Sequence, residues 1–163
     1  MSYTNQFFDT CYGDDSTKLQ YLVGAALYHD EEILGKIIVI VGPPGSGKTS
    51  FLTYLWEFTK DDQQIKVRDD VWVDKVVEHH DKFQNRFGPV VDSNTVCFFA
   101  TCKEPQRNDE RFIILHTTGE RLPMDVYKKY RSEMDSFRAD FFKQCVSVYV
   151  FHQVFGEFPN NLL

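Results

Sequence analysis

A chain of 163 residues suits one compact domain rather than two. Its hydrophobic share of 42% provides a full core and excludes a largely disordered chain, and fifteen Phe and eight Tyr make that core aromatic. A formal net charge of −6 argues against a broad basic face for nucleic acid, so any DNA or RNA contact must be local or assembled from several subunits.

Residues 1–14 are polar, carry no basic n-region and read as a loosely ordered lead-in. Asp15 or Ser16 is placed to cap a helix over Thr17–Tyr28, in which Leu19, Leu22, Val23, Ala26 and Leu27 form one buried stripe. After a polar turn at His29–Glu32, the consecutive apolar residues of Lys36–Val41 predict a strand covered on both faces. A helix follows from the glycine loop to about Thr59, with Phe51, Leu55 and Phe58 inward and Asp61–Asp62 as its stop. Ile65–Val71 reads as a short strand, and Asp74–Arg86 as a helix ended by Gly88–Pro89.

Thr95–Ala100 and Arg111–His116 are two further strands, separated by a polar loop over Cys102–Glu110. Pro123 suits the first position of a late helix. There Tyr127, Tyr130, Met134, Phe137 and Phe141 recur at helical spacing, as core packing or as a base-stacking or subunit surface. Cys145–Phe151 can continue that helix or form a strand, and the alternation of Val146, Val148 and Val150 favours a strand. The order strand, glycine loop, helix, then more strands and helices predicts a single α/β domain. Its expected form is three layers, a mostly parallel sheet flanked by helices.

The four cysteines form no CxxC pair and no metal-ligand spacing, which reads as buried free thiols in a reducing compartment. No apolar run is long enough to span a bilayer. The expected setting is therefore cytoplasmic, or host-intracellular if viral, with no membrane partner. The five histidines are not arranged as a metal site.

One motif carries chemistry. Gly42–Pro43–Pro44–Gly45–Ser46–Gly47–Lys48–Thr49 matches G-x-x-x-x-G-K-[ST] in full, behind an apolar strand and at the head of an amphipathic helix. Glycines let the backbone wrap tightly and turn its amides inward as an anion nest. The helix that follows adds its positive end beneath the phosphates. Lys48 is expected to reach the β- and γ-phosphates, Thr49 to ligate Mg²⁺ by its hydroxyl, and Ser50 to add a further phosphate contact. The implied ligands are ATP and Mg²⁺, with adenine favoured weakly because no N-K-x-D guanine motif is present.

A second constellation follows. Val96–Cys97–Phe98–Phe99–Ala100–Thr101 reads as a buried strand with a polar end, and Cys102–Lys103–Glu104–Pro105, Arg107–Asn108–Asp109–Glu110–Arg111 and Phe112–Leu115 come after it. A polar residue at a strand end can stand beside the γ-phosphate. An arginine at the next strand's start can reach transition-state charge in its own subunit or a neighbour's.

On these residues the chain resembles the superfamily 3 helicases of viruses, phages and plasmids. Leu19–Leu55 is similar to their helix, strand and phosphate loop, and Val96–Leu115 to their sensor strand, proline and arginine-bearing loop. The resemblance spans about two thirds of the chain, and only the phosphate loop is a specific motif. It implies ATP hydrolysis by an in-line water and a role in DNA replication. It also implies assembly into a homo-oligomeric ring that grips single-stranded DNA, with Arg111, or secondly Arg107, as the finger.

Two departures stand out. Cys102 replaces the sensor Asn, which moves that role to Thr101 or Lys103. No run of four apolar residues precedes an acidic pair, which leaves Asp69, Asp70 and Asp92 as candidates for the metal-side carboxylate. Lys128, Lys129 and Arg131 are either a DNA phosphate contact or a solvated helix face.

Two other readings fit the same loop. A small P-loop kinase would use Arg107 and Arg111 in a lid and Asp69 or Asp70 as base. A non-hydrolysing ATP-binding module would need neither metal-side carboxylate nor sensor.

Overall fold

The computed structural model describes residues 3–43, 47–69, 75–78, 97–102, 109–132 and 134–157. Strand β1 (Ile37–Val41) is buried at all five positions. Because side chains alternate along a strand, it feeds two separate cores. Ile38 and Ile40 pack with Leu19, Phe51, Leu55, Phe99 and Leu115, whereas Ile37, Val39 and Val41 pack with Val76, Val77 and Ala100. Helices cover one face of the sheet. A helical turn at residues 75–78 supplies Val76 and Val77 to the other. The result is the expected α/β three-layer arrangement.

Around β1 lie β2 (Ile65–Asp69), β3 (Cys97–Cys102) and β4 (Phe112–His116), in the order β2-β3-β1-β4, all parallel. The register sets Asp69, Thr101, Ile40 and Leu115 in one row across the sheet. Cys102, Val41 and His116 form the next row. The carboxyl ends of all four strands thus share one edge, where open α/β sheets place their ligands.

Helix α3 (Lys48–Thr59) leads from the glycine loop and buries Phe51, Leu52, Tyr54 and Leu55. Phe58, expected on that inner face, is half-exposed and stacks on Phe142 with ring centroids 4.1 Å apart. Helix α2 (Ser16–Leu27) lies where the sequence predicts, with Leu19, Leu22, Val23 and Ala26 buried. Asp15 does not cap it by side chain; its carboxylate instead accepts the His116 amide at 2.9 Å and ties the helix start to the end of β4. Helix α4 (Met124–Ser132) starts immediately after Pro123, whose carbonyl accepts the Tyr127 amide at 2.9 Å.

Two expectations are overturned. The lead-in is a helix, α1 (Tyr3–Tyr12). Its Tyr3, Phe7, Phe8, Cys11 and Tyr12 fall on one face and are buried. Phe8 stacks on Phe141 at 4.5 Å, the Thr4 hydroxyl donates to Asp140 at 2.7 Å, and the Gln144 amide donates to Asn5 at 2.7 Å. Polar residues between the aromatics hide the stripe from a reading of composition. The supposed strand over Cys145–Phe151 is part of one helix, α5 (Met134–Phe155). Its buried residues Phe141, Phe142, Cys145, Val148 and Tyr149 follow the helical period; Val150, which completes the alternation, is exposed.

Helices α2 and α5 meet at Gly24. A Cβ there would lie 2.5 Å from Tyr149 Cβ and 2.6 Å from the Cys145 carbonyl oxygen. Neither atom can swing aside without moving a helix. Gly24→Ala is expected to cost about 1–3 kcal/mol. Thermal denaturation should show the midpoint falling by roughly 2–4 °C per kcal/mol; an unchanged midpoint would mean the helices separate freely.

Candidate functional site

The glycine loop leaves β1 at Val41 and returns at Gly47, which has φ +91° and precedes the first residue of α3. That backbone angle suits glycine. The surroundings demand glycine as well, since a Cβ would stand 2.9 Å from Cys11 Sγ. The Gly47 carbonyl accepts the Phe51 amide at 3.1 Å and the Tyr12 hydroxyl at 3.2 Å. Helix α1 thus holds the loop's second end by packing and by a hydrogen bond. Across the loop, the Lys48 ammonium donates to the Gly42 carbonyl. Pro43 is exposed. Pro44, Gly45 and Ser46 lie outside the described residues, as does the side chain of Thr49, whose backbone is in α3.

Beside the loop is a cleft of about 460 Å³, within the range of small-molecule sites, roughly 300–1,000 Å³. Its polar lining is Lys48, Ser50, Asp69 and Arg121; its apolar lining is Phe7, Cys11, Leu122, Met124 and Tyr127. Among the described residues the lining thus mixes charged groups with aromatic and aliphatic ones, and Phe7 and Cys11 pack against Gly47 itself. Burial pushes the Cys11 thiol up to about 11. It is protonated at neutral pH and serves as a packing residue rather than a nucleophile. Burial likewise raises the Tyr12 hydroxyl, which stays a neutral donor to Gly47.

The sheet order decides which sequence candidates meet. Asp69 ends β2 and lines the cleft together with Lys48, although a whole strand, β3, separates β2 from β1. Thr101 is in register with both Asp69 and Ile40, one position short of the row from which the loop springs. Its side chain lies outside the described residues, and so do Asp70, Asp92, Lys103 and Arg107.

Arg111 is placed elsewhere. It immediately precedes β4, and its carbonyl accepts the amide of Ile37, the first residue of β1. The glycine loop is at the opposite end of that strand, roughly 16 Å away at about 3.3 Å per residue. Arg111 is chelated by Asp109, with Nε–Oδ1 at 2.9 Å and Nη2–Oδ2 at 2.7 Å. It therefore does not act on the loop of its own chain.

Sequence reasoning missed Phe7, Cys11 and Tyr12, because the lead-in was not read as a helix. It also missed Arg121 and Leu122. Their only signal is a position after one predicted strand and before Pro123, and that signal gains meaning once β4 is known to flank β1.

No family model matches the chain, and a search of curated proteins finds no match. Among solved structures, the A-form apo structure of the NrS-1 C-terminal region is similar, with a TM-score of 0.56 at 14% sequence identity. The likeness covers 88% of this chain and 45% of that one, so this chain spans less than half the length of its neighbour. The shared property is the fold. Among the described residues, no helix is long and apolar enough to cross a membrane.

Gly47→Ala is expected to destabilise the chain by about 1–3 kcal/mol, from the left-handed backbone and the collision with Cys11. Thermal denaturation should register this, and Cys11, protected in the parent, should become alkylated faster at pH 8. Parent-like stability and labelling would show that α1 does not rest on the loop.

Proposed function

We propose that this chain binds Mg-ATP in the cleft beside Gly42–Thr49 and hydrolyses it, as a ring-forming DNA motor of the superfamily 3 helicase type. The observation that carries the proposal is the arrival of Asp69 in the same cleft as Lys48, with β3 between their strands. That carboxylate supplies the metal-side group for which the sequence offers no standard strand. The donor set fits the ligand. The helix amides at α3 and Lys48 suit phosphate, and Asp69 with the Thr49 hydroxyl suits a hard divalent cation. Mg²⁺ supplies neutralisation of the phosphate charge when bound. Phe7, Leu122, Met124 and Tyr127 offer the base an apolar wall.

The remaining roles follow position. Thr101 is in register with Asp69, and on this reading its hydroxyl orients the attacking water. Arg111 is remote from its own loop, which suits a finger offered to the next subunit of a ring. Arg107 has the same role in reserve. On α4, Lys128, Lys129 and Arg131 are exposed and form a local basic face for single-stranded DNA, in keeping with an overall charge of −6.

The test is ATP turnover by the purified protein with Mg²⁺, with and without single-stranded DNA. Turnover should rise with DNA and vanish in Lys48→Ala. Asp69→Asn should lower it about 100-fold or more, as loss of one transition-state contact does. Arg111→Ala should lower it about 1,000-fold or more while leaving ATP affinity intact. Mixing Arg111→Ala with Lys48→Ala protein should restore part of the activity, since one supplies the nucleotide site and the other the finger. Tight ATP binding without turnover in all conditions would overturn the motor reading in favour of a binding module. Phosphate appearing on an added acceptor would favour the kinase.

A further inference from the structure

The cleft holds a second cation besides Lys48, and the fold fixes its backbone with care. Residues 117–123 run from the carboxyl end of β4 to the start of α4. The Thr117 amide donates to the Val41 carbonyl at 2.9 Å, and Val41 is the residue from which the glycine loop departs. The Thr118 amide donates to the Cys11 carbonyl at 2.9 Å, and its hydroxyl to the Thr10 carbonyl at 2.6 Å. The same hydroxyl accepts the Glu120 amide at 3.1 Å. Contact is so close that a Cβ on Gly13 would lie 2.8 Å from Thr118 Cγ2. On the far side of Arg121, Leu122 packs on the main core and Pro123 begins α4. The backbone is therefore anchored before Arg121, to the strand that carries the loop and to the helix that braces Gly47, and after it, through Leu122 on the core.

We infer that Arg121 binds the terminal phosphate of the nucleotide in its own chain, an inference that rests on the cleft being the nucleotide site. Among the described residues, three charged side chains line the cleft: Lys48, Asp69 and Arg121. With Asp69 committed to the metal, the two cations face a ligand that keeps net negative charge after binding its metal. A guanidinium suits this task, because its planar fork donates two parallel hydrogen bonds to phosphate oxygens. Arg121 is exposed, on a short loop, and lines the cleft beside Lys48. Arg111, at the other end of β4, cannot serve the same chain. The two arginines divide the work. Arg121 reports that the resident phosphate is present, and Arg111 serves the adjoining subunit.

Calorimetric titration of the full chain with ATP and ADP, each with Mg²⁺, tests the assignment. The variants are Arg121→Ala, Arg121→Lys and Lys48→Ala, with thermal midpoints measured alongside. Arg121→Ala should weaken ATP about tenfold, the loss expected for a hydrogen bond to a charged group. ADP should change less than about twofold, Arg121→Lys should recover part of the loss, and the thermal midpoint should not move. If Arg121→Ala keeps the parent's ATP-to-ADP preference while Lys48→Ala abolishes binding, this inference fails and the nucleotide site stands. If the parent chain takes up neither nucleotide, the site assignment fails and this inference fails with it.

Discussion

Everything at the candidate site depends on how Gly47 is held. Its left-handed backbone allows the loop to turn into α3, and its bare Cα allows Cys11 to lie against it. The carbonyl is engaged from two directions, by the first turn of its own helix and by the hydroxyl of Tyr12. The second end of the loop is thus ordered before any ligand binds, which lowers the ordering cost of binding there. Helix α1 is itself fixed by an aromatic cluster in which Phe7, Phe8, Tyr12, Phe51, Tyr54 and Phe141 meet edge to face, tilted or stacked. The abundance of Phe and Tyr thus has a local purpose: it clamps the N-terminal helix beside the cleft.

The sheet contributes the other half of the arrangement. Strand β1 is buried on both faces, and β3 stands between it and β2. This order separates Asp69 from the loop by one strand while keeping both at the same edge. The strand order also assigns Arg111 to the opposite edge, away from its own cleft.

Local signals were legible in the sequence. The start of α3 after Gly47, β1, α2 and the start of α4 stand where their residues predict, because each is set by a short-range rule: a glycine turn, a run of apolar residues, a helical stripe or a proline. The three-layer class followed from their order. What the sequence hid is long-range. Asp69, one of three candidates in the sequence, reaches the cleft through the strand order, and Arg121 reaches it because Thr117 and Thr118, just before it, donate to Val41 and Cys11. Helix α1 was obscured because its stabilisation is tertiary. Its isolated stretch has few strong helix formers, and its aromatic face needs α5 to pack on. The error over Cys145–Phe151 has the reverse cause, a period-two coincidence of valines inside a longer helix.

The anchoring of residues 117–123 to Val41 and Cys11 has a kinetic consequence. The cleft is walled by α1 near one end of the sequence, by the loop and β2 in its middle, and by Arg121 to Tyr127 far beyond. These contacts close long stretches of chain, a slow step in folding because the entropy of closure comes before the contacts that offset it. During synthesis the glycine loop and α3 therefore emerge well before the cleft can exist. The cleft cannot form in an emerging chain until Tyr127 has docked. A ligand that bound only the finished fold would then tie α1 to residues 121–127.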